Sequence, residues 1–135
     1  MIALQYDVLD VSMIEESVQS SSNGAVLVFV GRTRDLFEGK RVLELQYEAY
    51  ETMAIKEMKH IQQEIEQKWS GSQVSIVHRL GTVEVAQASV VIAVSAPHRG
   101  ECYEASRFAI DMLKNRVPIW KKEIFQDGSI WKANQ

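Results

Sequence analysis

The stretch A-P-H-R-G-E-C-Y-E-A-S-R-F-A-I-D-M-L-K-N-R-V-P-I-W-K-K-E, Ala96 to Glu123, holds a strand end, a whole helix and the start of another strand. Pro97 ends the β-rich run that precedes it. From Glu101 to Val117, the residues Cys102, Ala105, Phe108, Ala109, Met112 and Leu113 recur at three- and four-residue steps, the stripe of an amphipathic helix. Pro118 stops that helix, since proline has no N–H to donate and its ring clashes with the preceding turn. Ile119–Phe125 and Ser129–Lys132 then flank Asp127-Gly128, a strong hairpin pair.

Working back from Pro97, Ser89–Ala96, Val83–Val85 and Val74–Leu80 are rich in β-branched residues and separated by Gln87-Ala88 and Gly81, which predicts neighbouring strands of a largely antiparallel sheet. Glu51–Trp69 carries Ala54, Ile55, Met58, Ile61, Ile65 and Trp69 on one stripe and Lys56, Lys59, Gln63 and Glu66 off it, a second amphipathic helix closed by Ser70-Gly71. Val42–Tyr50 alternates as a strand. Arg32–Lys40 is polar and charged and reads as a mobile loop. Ala25–Val30, an unbroken apolar run after the turn signal Asn23-Gly24, predicts a central strand stopped by Gly31. Ile2, Leu4, Tyr6 and Val8 alternate as a first strand, and Ser12 with Glu15 offers a capping box for a short helix ending near Ser20. The expected order is βαββαβββαββ. It describes a single α+β domain over residues 1–135, with a mostly antiparallel sheet and two main amphipathic helices.

With 135 residues, 46% hydrophobic and 24% charged, the chain is large enough to bury a core. No apolar run approaches the length of a membrane span, and M-I-A-L-Q-Y-D lacks the basic start of a signal peptide, so a cytoplasmic protein with no membrane association is expected. One cysteine, Cys102, excludes an internal disulfide, and its helical phase predicts a buried core thiol. Three scattered histidines give no metal-ligand spacing, so no metal and no resident cofactor are expected. His60 falls on a polar helix face and His78 inside a strand, as a structural histidine. Neither phosphate-cradling glycine motif, G-x-x-x-x-G-K-[ST] or G-x-G-x-x-G, occurs.

Charge is distributed unevenly. The chain has 15 Lys+Arg against 18 Asp+Glu, yet Arg99, Arg107, Lys114, Arg116, Lys121 and Lys122 all fall within the opening stretch. A compact cationic locus on an anionic body suits a small anion; a nucleic acid needs a broader basic face. Two pairs of readings stand open here. His98-Arg99-Gly100 sits at a helix start, where free N–H groups favour an anion, but His98 is equally placed as a cap and Arg99 as a surface ion pair. Lys114 and Lys121 are positioned to converge, and mutual repulsion with desolvation would lower a pKa and suit general-base or nucleophilic work. As ordinary residues, the first complements a helix C-terminus and the second guards a strand edge.

Five pieces of the chain together resemble the MoaE family, the large catalytic subunits of molybdopterin synthase. They are G-A-V-L-V-F-V-G-R-T-R at Gly24–Arg34, L-Q-Y-E-A-Y at Leu45–Tyr50, V-H-R-L-G at Val77–Gly81, A-P-H-R at Ala96–Arg99 and L-K-N-R-V-P-I-W-K-K-E at Leu113–Glu123. They occur in the family's order and span nearly the whole chain; Asp35–Lys40 lies outside them.

The resemblance implies an α/β-hammerhead fold and a sulfurtransferase that converts cyclic pyranopterin monophosphate to molybdopterin. Sulfur would come from a small ubiquitin-like sulfur-carrier subunit of the MoaD type, as a thiocarboxylate on its C-terminal glycine, within a heterotetramer built on a homodimer of large subunits. It implies Lys114 and Lys121 as catalytic residues and Arg34, His98, Arg99, Lys114 and Lys121 as substrate-binding ones, with Glu123 and Phe29 in support, at a site that can draw on both large subunits. Cys102 need not carry sulfur. The competing reading is a non-catalytic module that binds a ubiquitin-like protein or a small anion.

Overall fold

A computed structural model describes all residues, 1–135. The strands form two sheets. The first sheet has the order β1-β5-β7-β2, with β1 Ile2–Gln5, β2 Ala25–Arg32, β5 Gln73–Arg79 and β7 Ala88–Ala96. The second is built on β4 Lys40–Ala49, which pairs β8 Ile119–Phe125 along one side and β3 Leu36–Phe37 and β6 Gly81–Glu84 along the other; β9 Ile130–Asn134 adds to β8. Helices α2 Glu51–Lys68 and α3 Arg99–Arg116 cover one face of the first sheet, and the short α1 Val11–Glu16 covers the opposite face.

β7 explains why the first sheet forms. All nine of its residues are buried. Val90, Ile92, Val94 and Ala96 face the large core with Met58, Ile61 and Ile65 of α2 and Ala105, Ala109 and Leu113 of α3, while Val91 and Ala93 join Ile14 and Val18 beneath α1. A strand covered on both faces needs no polar alternation, hence its continuous apolar run. Ala25–Val30 has the same composition, but β2 is an edge strand, not a central one. It pairs only β7, leaving Val26 and Phe29 exposed. Composition cannot separate the two cases, because which strands pair is decided by contacts distant in sequence.

Other departures from the expected elements have local causes. β1 stops at Gln5, leaving Tyr6 and Val8 exposed, and pairs β5 in parallel, the one parallel ladder of the sheet. Helix α1 is capped by Asp10, whose Oδ1 accepts from Met13 N–H at 3.1 Å, so Ser12 falls inside the helix and no capping box forms; the helix ends at Glu16. β2 continues through Gly31 to Arg32 with a bulge, and a Cβ at Gly31 would lie 2.7 Å from Val90 Cγ1. Arg32–Lys40 holds the two-residue strand β3, turned back onto β4 through Glu38 and Gly39 in the left-handed region, so the order gains one strand. β6 leaves its sequence neighbours and pairs β4.

The opening stretch folds as its sequence predicts. α3 begins after His98 and ends at Arg116; Val117, before Pro118, is extended at φ −86° and ψ 127° and turns the chain into β8. Arg116 donates to Glu57 at 2.6 and 2.8 Å and to Glu64 at 2.6 Å, clamping α3 to α2. Cys102 is fully buried with its Sγ 3.2 Å from Val94 O, and burial pushes its thiol pKa up. No helix is long and apolar enough to cross a membrane.

Candidate active site

Where the two sheets meet, a cavity of about 200 Å³ is lined by Phe29, Gly31 and Arg32 of β2, Arg34 and Leu36, Tyr47 of β4, Ser89 of β7, Lys114 of α3, and Lys121 and Glu123 of β8. Lys114 occupies the last turn of α3 and Lys121 the third residue of β8, so the Pro118 turn brings the two amines to one locus. β-Strand alternation then puts Glu123 on the same face as Lys121, and the register sets Tyr47 and Leu45 directly opposite them.

The electrostatics follow from this convergence. Desolvation, and secondly the like charge of Lys121, hold the Lys114 ammonium below the ordinary lysine pKa. Lys114 keeps much of its surface in solvent, so this push is partial. Lys121 Nζ lies 3.5 Å from Glu123 Oε1. Glu123 is 4% exposed, and its Oε2 has no hydrogen-bond partner. Arg34 is exposed at the mouth and Phe29 forms part of the wall.

His98 and Arg99 lie elsewhere in the protomer. His98 is the N-cap residue of α3 but makes no capping bond; its side chain is 84% exposed, with Nδ1 3.4 Å from Glu101 Oε1. Sixteen residues of helix separate it from Lys114, roughly 24 Å at 1.5 Å per residue. Five of the expected residues, Phe29, Arg34, Lys114, Lys121 and Glu123, thus share one pocket, and His98 and Arg99 sit at the far end of α3. Tyr47 and Ser89 also line the pocket and were not singled out by sequence. Only the β4–β8 register marks Tyr47. No group of three or more His, Cys, Asp or Glu side chains is arranged to hold a metal ion. His78 is buried, donates from Nδ1 to Arg79 O at 2.7 Å, and is held neutral by burial, which lowers its pKa to about 4.

A family profile described as MoaE protein matches residues 4–116, most of the chain. The chain belongs to the MoaE family. Among relatives, the molybdopterin synthase catalytic subunit of Culex quinquefasciatus is 54% identical over 99% of this chain and 88% of its own length. That of Drosophila melanogaster is 51% identical over 99% of this chain, which spans only 37% of the fly protein. The crystal structure of molybdopterin synthase from Staphylococcus aureus superposes with a TM-score of 0.93 at 39% identity, covering 98% of this chain and 96% of that one. A Helicobacter pylori complex of subunits 1 and 2 of molybdopterin-converting factor shares the fold, with a TM-score of 0.81 at 21% identity over 99% of this chain and 90% of that one. This MoaE chain is a molybdopterin synthase catalytic subunit, an enzyme of molybdenum cofactor biosynthesis.

Proposed function

We propose that this MoaE chain forms the dithiolene of molybdopterin from cyclic pyranopterin monophosphate, taking sulfur from the thiocarboxylated C-terminal glycine of a small ubiquitin-like subunit. The observation that carries this is the convergence of Lys114, Lys121 and the partnerless oxygen of Glu123 in one half-closed cavity. Lys114, with its pKa lowered, has a larger neutral fraction near pH 7 than an ordinary lysine and serves as the proton acceptor and donor of phosphate opening and sulfur addition. Lys121, paired with Glu123, stabilises negative charge that develops at the thiocarboxylate. Arg34 at the mouth grips the phosphate, and Phe29 packs on the pterin. A narrow cavity accepts an extended tail better than a folded surface. The paired subunits of the H. pylori complex support such a partner here. A cytoplasmic setting agrees with a lone, unpaired cysteine.

The placement of His98 and Arg99 supports a shared site in a homodimer. β2 runs from Ala25, paired with Ala96 near His98, to Arg32 at the pocket, and its outer edge is unpaired. Beside that edge, Leu27, Phe29, Tyr103 and Ile110 line an apolar groove. A two-fold axis across the middle of this face exchanges the ends of β2, carrying a second protomer's His98 and Arg99 toward the first protomer's pocket. The small subunits then complete a heterotetramer.

The test is to mix the purified chain with thiocarboxylated small subunit and cyclic pyranopterin monophosphate and assay dithiolene product. Product is expected. Its absence, under conditions where the S. aureus synthase works, would leave the chain a binding module.

A further inference from the structure

Tyr47 lies in the pocket without a role in the chemistry above. It faces Lys121 across the β4–β8 ladder, is 7% exposed, and lines the cavity with Lys114 and Glu123. Its ring meets the edge of His78 at a centroid distance of 4.8 Å and 70°. The His78 proton is on Nδ1, because Arg79 O can only accept. His78 is therefore a buried, neutral ring against which the Tyr47 ring packs. Burial first, opposed by Ser89 and reinforced by the charge of Glu123, raises the phenol pKa, so Tyr47 keeps its proton at neutral pH.

The pocket thus offers a neutral O–H in the same lining as the amines of Lys114 and Lys121. We propose that Tyr47 positions the sulfur donor: its hydroxyl donates a hydrogen bond to the terminal thiocarboxylate of the small subunit's tail, alongside Lys114 and Lys121. The phosphate of the second substrate suits the exposed Arg34 at the mouth, and the small end group of an extended chain suits the buried Tyr47 and Glu123. A thiocarboxylate has two polar atoms. The Lys121 cation and one directional donor fix which atom faces the substrate, a constraint that charge alone does not impose.

The inference rests on the sulfur-transfer reading, and the experiment separates the two. Using the complex with its small subunit, Tyr47→Phe is compared with the wild type in single-turnover sulfur transfer and in binding of thiocarboxylated against carboxylated small subunit. A wild-type complex that makes no product counts against the sulfur-transfer reading, whatever Tyr47 does. With wild-type turnover, Tyr47→Phe is expected to slow transfer about tenfold and to weaken binding of the thiocarboxylated tail, with KM for the pterin unchanged. Transfer within twofold of wild type, or an effect confined to the pterin KM, overturns the proposal. Should the Phe variant melt early, 3-fluorotyrosine at position 47 keeps the shape and acidifies the phenol. The alkaline limb of the transfer rate then moves to lower pH if Tyr47 donates, and an unmoved limb overturns the proposal.

Discussion

Lys121 Nζ stands 3.5 Å from Glu123 Oε1, while Oε2 of the same carboxylate is buried with no hydrogen-bond partner. A buried acceptor left unpaired destabilises a fold by about 1–3 kcal/mol, so this site holds an arrangement that stability alone does not favour. Glu123→Gln removes the buried charge with little change of shape. It is expected to leave the melting temperature equal or higher and to lower kcat/KM at least ~10-fold, because Lys121 loses its counter-charge. Calorimetry and the dithiolene assay check the two halves; a lower melting temperature with full activity would make Glu123 structural.

Lys121→Ala removes a charge-stabilising amine and a neighbour of Lys114. Turnover is expected to fall by at least ~100-fold with dimer and small-subunit binding retained. In the same variant the Lys114 pKa rises toward the ordinary lysine value, since one of the two causes of its depression is gone. Side-chain NMR of Lys114 reads that shift directly, and an unmoved titration would show that the two amines are not coupled.

A shared site predicts complementation between dead protomers. Lys121→Ala spoils the pocket and His98→Ala the opposite end of α3, so each homodimer is inactive. Mixed dimers retain one intact site, and random exchange of equal amounts restores about a quarter of wild-type activity. Activity that never recovers on mixing would place His98 outside the site.

His78 gives the fold a pH dependence of known sign. Its pKa is 6.5 ordinarily and about 4 in the folded protein, so as pH falls the unfolded chain binds the proton first. The stability due to neutral burial is complete above about pH 6.5 and is lost as pH falls from there to about 4, by up to ~3 kcal/mol. Urea midpoints measured across this range should drop with acidification in the wild type and less steeply in His78→Gln. Parallel curves would assign the acid lability to another group.

Cys102 is expected to be dispensable for sulfur transfer, as its thiol is sealed in the core between α3 and β7. Cys102→Ser should transfer sulfur within about twofold of wild type, and a thiol reagent should react with the native protein only at the rate of local opening. A folded but inactive variant would return the thiol to the mechanism.

The two long helices were legible because each carries its period over 18 residues, and Pro118 and Asp127-Gly128 fix the chain locally. The strands of Val74–Leu80 and Ser89–Ala96 are legible for a different reason: their continuous β-branched runs belong to a core covered on both faces. β2 is an edge strand where its apolar run predicts a central one, and Arg32–Lys40 holds a strand where its polarity predicts a loop. The place of β2 depends on a partner distant in sequence, β7, and the two-residue β3 is too short to carry a period of its own, although it pairs with nearby Lys40 and Arg41. The Asp10 cap escapes the pattern because Ser12 and Glu15 mimic a capping box two residues too late.

The sequence by itself determined the elements, the family, and the identity of the charged residues that matter, because periodicity, turn chemistry and motif spacing are short-range properties. Only the tertiary structure decided which of those residues meet. The Pro118 turn and the β4–β8 register gather Lys114, Lys121, Glu123 and the unsuspected Tyr47 in one cavity, while the rigid length of α3 holds His98 and Arg99 at its far end. Convergence is a property of packing: spacing within one helix gives the distance between its ends, but neither charge nor spacing states which residues of different elements meet.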